Sequence, residues 1–173
     1  TWKFMEQPIV GNPAEGLYYT IEWGLDTLQI LAVTTAVNNV SYDLAIGGDY
    51  IYSTSWAGGL QRFNYTDETP KWEVIPLPMD NQFKLICDDV DTETYELNPK
   101  DPEDGGNHNH KGFSVFIEGD TIWAGTANGI NKGEINGDCI DWEKHITTNN
   151  SGISGNWVIG FESGLGKLWA ITW

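Results

Sequence analysis

The sequence predicts an all-β chain of short antiparallel strands, and three observations predict it. Short runs such as Tyr50-Ile51-Tyr52-Ser53-Thr54 and Thr121-Ile122-Trp123-Ala124-Gly125-Thr126 are rich in β-branched and aromatic residues, and in the second Ile122 and Ala124 share one face while Trp123 takes the other. Glycine-bearing turns bracket these runs, at Gly48-Asp49, Gly58-Gly59, Gly119-Asp120 and Asn128-Gly129, and an Asn-Gly pair between β-formers is a strong hairpin signal. Helical spacing is weak throughout. Residues 26–37 contain Leu28, Leu31 and Val33, but their β-branched richness favours a strand ending near Thr34.

The stretch 118–132 reads as one hairpin, turned at Gly119-Asp120 and again at Asn128-Gly129. The same grammar occurs upstream over 48–62, so the chain contains an internal repeat. Trp2, Trp72 and Trp142 lie 70 residues apart twice over, as do Gly59-Leu60 and Gly129-Ile130. Tyr52 and Trp123 are 71 apart, and Trp169 follows Trp123 by 46. Periods of roughly 40 to 50 residues, built from short strands with glycine turns, are those of propeller blades, each a four-stranded antiparallel sheet. One unit therefore reads as strands 42–46, 50–54, 60–64 and 72–75, the next as 114–117, 121–126, 130–134 and 142–146, and a third starts at 158–161 and 167–170. The longer period requires insertions at 13–39 and 79–112. The first reads as a hairpin, 17–22 against 28–34 with a turn near Gly24. The second has strands at 84–87 and 95–97 and then a Pro-, Gly-, Asp- and His-rich loop over 98–110, where binding is expected because decorated loops on a rigid scaffold commonly carry it.

The fold expected is thus a β-propeller fragment of four-stranded antiparallel blades with inserted hairpins and loops. The whole chain, 1–173, forms one partial propeller: 1–10 is the last strand of a preceding blade, 11–78 and 79–146 are blades, and 147–173 starts the next. Open sheet edges are liabilities that propellers remove by closure. The remaining blades of a larger chain, or a homo-oligomer, are therefore expected to cover them. A first residue other than Met, and a final stretch that reads as mid-strand, suggest a processed chain or a piece of a longer one.

Composition excludes some partners. Twenty-five acidic residues against nine Lys and Arg give a formal charge of −16, which repels phosphate backbones and anionic membranes, so no nucleic acid is expected. No run of 18 apolar residues is present, so no membrane insertion is expected. Two cysteines, Cys87 and Cys139, are too few for a disulfide framework and lack the paired spacing of a zinc ribbon. One disulfide or two buried thiols are both open.

Ile122-Trp123-Ala124-Gly125-Thr126 followed by Asn128-Gly129-Ile130 resembles the repeat of two-component-regulator β-propellers: a hydrophobic pair, Trp, a small residue, Gly, Thr, then a glycine turn and an apolar residue. Ile153-Ser154-Gly155-Asn156-Trp157-Val158 resembles the segment that hands one such unit to the next. The resemblance covers about 42–78, 113–146 and 153–173. It implies a bacterial propeller, periplasmic, exported or at the cell surface, serving as a sensor, recognition or scaffold module, and it implies no catalytic set. Tyr65-Thr66-Asp67-Glu68-Thr69-Pro70-Lys71-Trp72 is more distantly similar to the Asp-box of sialidase-like propellers, keeping its Asp and Trp but not its Gly or leading hydroxyl.

Candidate chemistry is confined to a few places. His108 and His110, at i and i+2, would point the same way in an extended segment and could ligate a metal, with Asp101, Glu103 and Asp104 nearby. Asp88, Asp89 and Asp91 offer hard oxygen ligands suited to Ca²⁺, without the spacing of an EF-hand loop. No nucleophile elbow, phosphate-cradling loop or Cys-His motif is present. Trp2, Trp72, Trp123, Trp142 and Trp169 recur at matching positions and are expected to pack between blades. Trp23 and Trp56 lack such counterparts, and with Tyr95 they are the aromatic residues expected to contact a glycan or protein ligand. A non-catalytic recognition or scaffold module is the leading function, with a fragment of a carbohydrate-active propeller and a structural surface protein as the competing ones.

Overall fold

A computed structural model describes residues 18–23, 26–31, 40–56, 58–87 and 108–173, the first two stretches by their backbone alone. Among these residues the regular structure consists of strands and one 3-10 turn, with no α-helix, as the strand-period runs predict. Strands β1 (Tyr18–Trp23) and β2 (Asp26–Leu31) form a two-stranded antiparallel sheet. The next four, β3 (Ser41–Gly47), β4 (Tyr50–Ser55), β5 (Gly59–Asn64) and β6 (Trp72–Ile75), make a four-stranded sheet in chain order. A second such sheet comprises β7 (Gly112–Glu118), β8 (Thr121–Thr126), β9 (Gly129–Asn136) and β10 (Cys139–Ile146), and β11 (Val158–Gly164) pairs with β12 (Lys167–Thr172). All pairings are antiparallel.

Two expected elements come out differently. Residues 84–87 form no strand: Leu85 alone makes a bridge, to Trp142, beside the bulge of β10 between Trp142 and Lys144. The turn of the 118–132 hairpin is Ala127-Asn128, while Gly129 opens β9 opposite Thr126. Gly129 holds φ +98, and a Cβ there would run into the Ile146 carbonyl, so glycine is required one place later than a two-residue Asn-Gly turn would have it. The expected strands at 1–10 and 95–97, and the end of the first inserted hairpin at 32–34, lie outside the described residues.

The first hairpin of each of the three sheets from β3 onward carries a bulge at one and the same place, between Ser41 and Asp43, Gly112 and Ser114, and Val158 and Gly160. One residue before that bulge, the backbone closes each hairpin identically, with Trp56 N–H donating to Val40, Ala127 N–H to Lys111 and Trp173 N–H to Trp157. Counted from the bulge, Tyr52, Trp123 and Trp169 take one position, opposite Ala45, Phe116 and Glu162.

The sheets stack through their first strands, β3 against β7 and β7 against β11. Side chains at the bulge tie them. Asp43 Oδ2 accepts from Val115 N–H at 3.0 Å, and Ser114 Oγ donates to the Val158 carbonyl at 2.9 Å. Between the two four-stranded sheets lies the core: Tyr52, Leu60, Ile75 and Leu77 from one side, Val115, Ile122, Ala124, Ile140 and Trp142 from the other. Trp142 is fully buried and its indole N–H donates to the Pro76 carbonyl at 2.6 Å, which satisfies the one polar atom that its burial would otherwise strand. Cys87 and Cys139 are joined in a disulfide, with Cα atoms 5.9 Å apart, so the connection after β6 is fastened to the start of β10.

Candidate functional site

The two ends of the stacked sheets differ. At one end are the turns within the first hairpins. At the other, the β4–β5 and β8–β9 turns meet the described parts of the β6–β7 connection, and Trp56, Asp80, His108 and Lys111 come together. Trp56 follows β4, and Lys111 immediately precedes β7, so the stacking of β3 on β7 sets them side by side. The Lys111 Nζ lies 5.5 Å from the centre of the Trp56 ring, within cation–π range. Burial pushes the Lys111 ammonium pKa down, and the charge of Asp80 partly restores it.

Asp80 is the organiser. Its carboxylate accepts from the backbone N–H groups of His108 (3.2 Å) and Asn109 (2.7 Å) and lies 3.3 Å from His108 Nδ1. Burial pushes its pKa up, but the bonds from the His108 side chain, from the Asn109 and His108 backbone and from Asn128 outweigh that and hold it at about 2. Three bonds from a short turn to one carboxylate are the arrangement that stabilises the charged form.

Beneath the surface a closed amide network supports the turn. Asn109 is fully buried and donates through Nδ2 to the Pro78 carbonyl (2.6 Å) and Asn131 Oδ1 (2.8 Å). Its Oδ1 accepts from Thr126 Oγ1 at 2.7 Å and Asn131 Nδ2 at 2.8 Å. His145, also buried, spans the next layer, with Nε2 2.6 Å from the Asn128 carbonyl and Nδ1 3.2 Å from that of Gln82. The site therefore stands on a floor whose polar groups are mutually occupied, and its free chemistry belongs to Trp56, Lys111, Asp80 and His108.

Of the residues singled out in the sequence, Trp56 and His108 sit in this cluster. His110 does not. His108–His110 is a 3-10 turn rather than an extended segment, and the tighter rotation sends the two rings apart: His108 is exposed beside Asp80, while His110 is buried with Nε2 3.3 Å from the Leu77 carbonyl. The shared metal face expected for this pair is therefore not formed, and among the described residues no group of three His, Cys, Asp or Glu side chains is placed to hold a metal. Trp56 also has a counterpart after all, since Trp173 makes the same backbone closure after β12. Trp23 ends β1, whose backbone alone is described. Tyr95, Asp88, Asp89 and Asp91 lie outside the described residues. Asp80, Lys111 and the Asn109–Asn131 pair were missed, for their roles come from contacts across tens of residues; the Asn between two His was their nearest local sign.

At the opposite end a polar cavity of about 350 Å³ is lined by Tyr50, Arg62, Asn64, Asp67, Lys71, Glu73 and Asp138. Arg62 is buried, held by Glu73 at 3.0 Å and stacked 4.7 Å from the Tyr50 ring centre. The Tyr50 hydroxyl donates to Asp138 Oδ1 at 2.8 Å, a bond that raises the phenol pKa, as does burial. A second cross-strand pair, Lys132 with Glu143 at 3.2 Å, stands at the matching register of the next sheet, so the Arg62–Glu73 pair is read as a brace of the sheet.

Comparison with protein-family models, with curated proteins and with solved structures finds no match for this chain.

Proposed function

We propose that the chain is part of a β-propeller and serves as a non-catalytic recognition module of an exported or cell-surface protein, taking a glycan at the end where Trp56, Lys111, His108 and Asp80 meet. One observation carries the reading: an aromatic ring, a half-buried cation and a fixed carboxylate with an exposed imidazole converge on a floor with saturated hydrogen bonding. Sugar rings present an apolar face and a rim of hydroxyls, and an aromatic plane beside rigid donors and acceptors is complementary to both. The stacking of β3, β7 and β11 with a common bulge supports the propeller part of the reading. The disulfide supports an oxidising compartment.

A glycan array run beside a hydrolysis screen tests this. Binding without turnover is expected, weakened about tenfold by Trp56→Ala and unaffected by Tyr50→Phe at the other end. Turnover of a bound glycan would replace recognition by catalysis, and binding indifferent to Trp56→Ala would remove the site from this end.

A further inference from the structure

Among the described residues, two apolar faces of the stacked sheets are exposed. Val40, Tyr42, Leu44 and Ile46, on and just before β3, are between 51 and 71% exposed. Ile159, Trp169, Ile171 and Trp173, on and just after β11 and β12, are between 47 and 83% exposed. Isolated apolar residues on a surface need no explanation, but contiguous sets of this kind mark an interaction face.

The register shows what each face fits. Counted from the common bulge, Tyr42, Leu44 and Ile46 correspond to Phe113, Val115 and Ile117. Phe113 and Val115 are buried, and Val115 and Ile117 belong to the core packed on the preceding sheet. On the other side, Trp169 and Ile171 correspond to Tyr52 and Thr54, which are fully buried towards the following sheet. Individual contacts correspond as well. Tyr42 meets Phe113 edge-on at 5.3 Å, and the place of Phe113 is taken by Ile159 in the last sheet. Trp56 meets Lys111, and their places are taken by Trp173 and Val40. At both of these contacts the two corresponding places are exposed and apolar on the two faces.

We propose that these faces dock on each other between two copies of this chain, head to tail, with the β11–β12 face of one copy on the β3 face of the next. In that arrangement Ile159 meets Tyr42 of the next copy and Trp173 meets its Val40, continuing the stack by the interface already present twice within the chain. The contact is heterologous, so it propagates to a ring if the rotation closes and to an open series if it does not.

Sedimentation analysis of the 173-residue chain over a concentration series tests the association. Wild type is expected to oligomerise, and Leu44→Asp with Ile46→Asp, or Trp169→Asp with Ile171→Asp, each to give a monomer. Mixing the two variants is expected to restore a one-to-one dimer through the two intact faces. Cross-linking covers the case in which the Asp variants fail to fold: a chain with Tyr42→Cys mixed with one carrying Ile159→Cys should form a mixed disulfide dimer, while neither alone does. A wild-type monomer up to its solubility limit overturns the proposal. So does a cross-link formed by the Tyr42→Cys chain alone, which would mean a symmetric contact.

Discussion

Asp80 draws three bonds from a turn 28 residues downstream, and the cost of burying its carboxylate is outweighed by them. Linkage turns this into an acid-stability effect. The carboxyl titrates at 3.8 when free and at about 2 here, so its depressed pKa adds stability at and above pH 4 that disappears as the pH falls through 2. A carboxyl held that far below its ordinary value contributes about 2 kcal/mol. Wild type should therefore lose about that much more than Asp80→Asn between pH 4 and pH 2, measured by urea unfolding at each pH; equal losses would mean that the turn does not hold Asp80 in solution. Asn109 rests on a different balance. Replacing it by Ala removes the bonds that Asn109 makes to the Asn131 amide and the Pro78 carbonyl and leaves the Thr126 hydroxyl only its bonds to Gly129 and Asn128, and a loss of about 2 to 3 kcal/mol in the same assay is expected. Neither residue was legible in the sequence, because Asp80 and Asn109 stand 29 positions apart and each looks locally like an ordinary turn residue. Trp56 was singled out as an aromatic without a counterpart in the repeat, a reading that the equivalent closure by Trp173 removes.

Strands and their turns were far more legible, because what specifies them is local: strand-forming runs bounded by Gly-Asp or Gly-Gly. Even there, the neighbours decide details. The Asn128-Gly129 pair is displaced by one residue since the Ile146 carbonyl occupies the space beside Gly129, and the stretch 84–87 yields a single bridge, to Trp142, beside the bulge of β10. The β11–β12 turn shows a case where the sequence departs from what its geometry prefers. Leu165 and Gly166 both hold positive φ, 56 and 70, the pattern of a turn that favours Asn-Gly. Leu165 is 94% exposed, so it gains no burial to offset the strain of a left-handed conformation, which costs an L-residue about 1 to 2 kcal/mol. Leu165→Asn should raise stability by about 1 kcal/mol, read from the shift in thermal midpoint. An unchanged or lowered midpoint would mean that the turn relaxes to another form in solution.

Across the molecule, the stack of sheets is held by packing at its first strands and by the described part of the β6–β7 connection that pairs with β10. That connection is fixed at few points between residues 83 and 87: the Leu85–Trp142 backbone pair, His145 N–H to the Phe83 carbonyl, Cys87 N–H to Asp141 Oδ1, and the Cys87–Cys139 disulfide. The same stretch lies beside Trp142, the largest fully buried side chain of the core. A cross-link over a sequence separation of 52 residues removes enough freedom from the unfolded chain to stabilise the fold by about 4 kcal/mol in the chain-entropy account. Cys87→Ser with Cys139→Ser is therefore expected to lower the unfolding free energy in urea by about that amount. If the disulfide acted only on the unfolded chain, the native tryptophan fluorescence would be untouched. If it also keeps the connection seated, the double variant should show a red shift from Trp142 meeting water before the main transition. A loss of free energy without that shift would assign the whole effect to the unfolded state, and no loss at all would mean that the backbone bonds of residues 83–87 suffice to hold the connection in place.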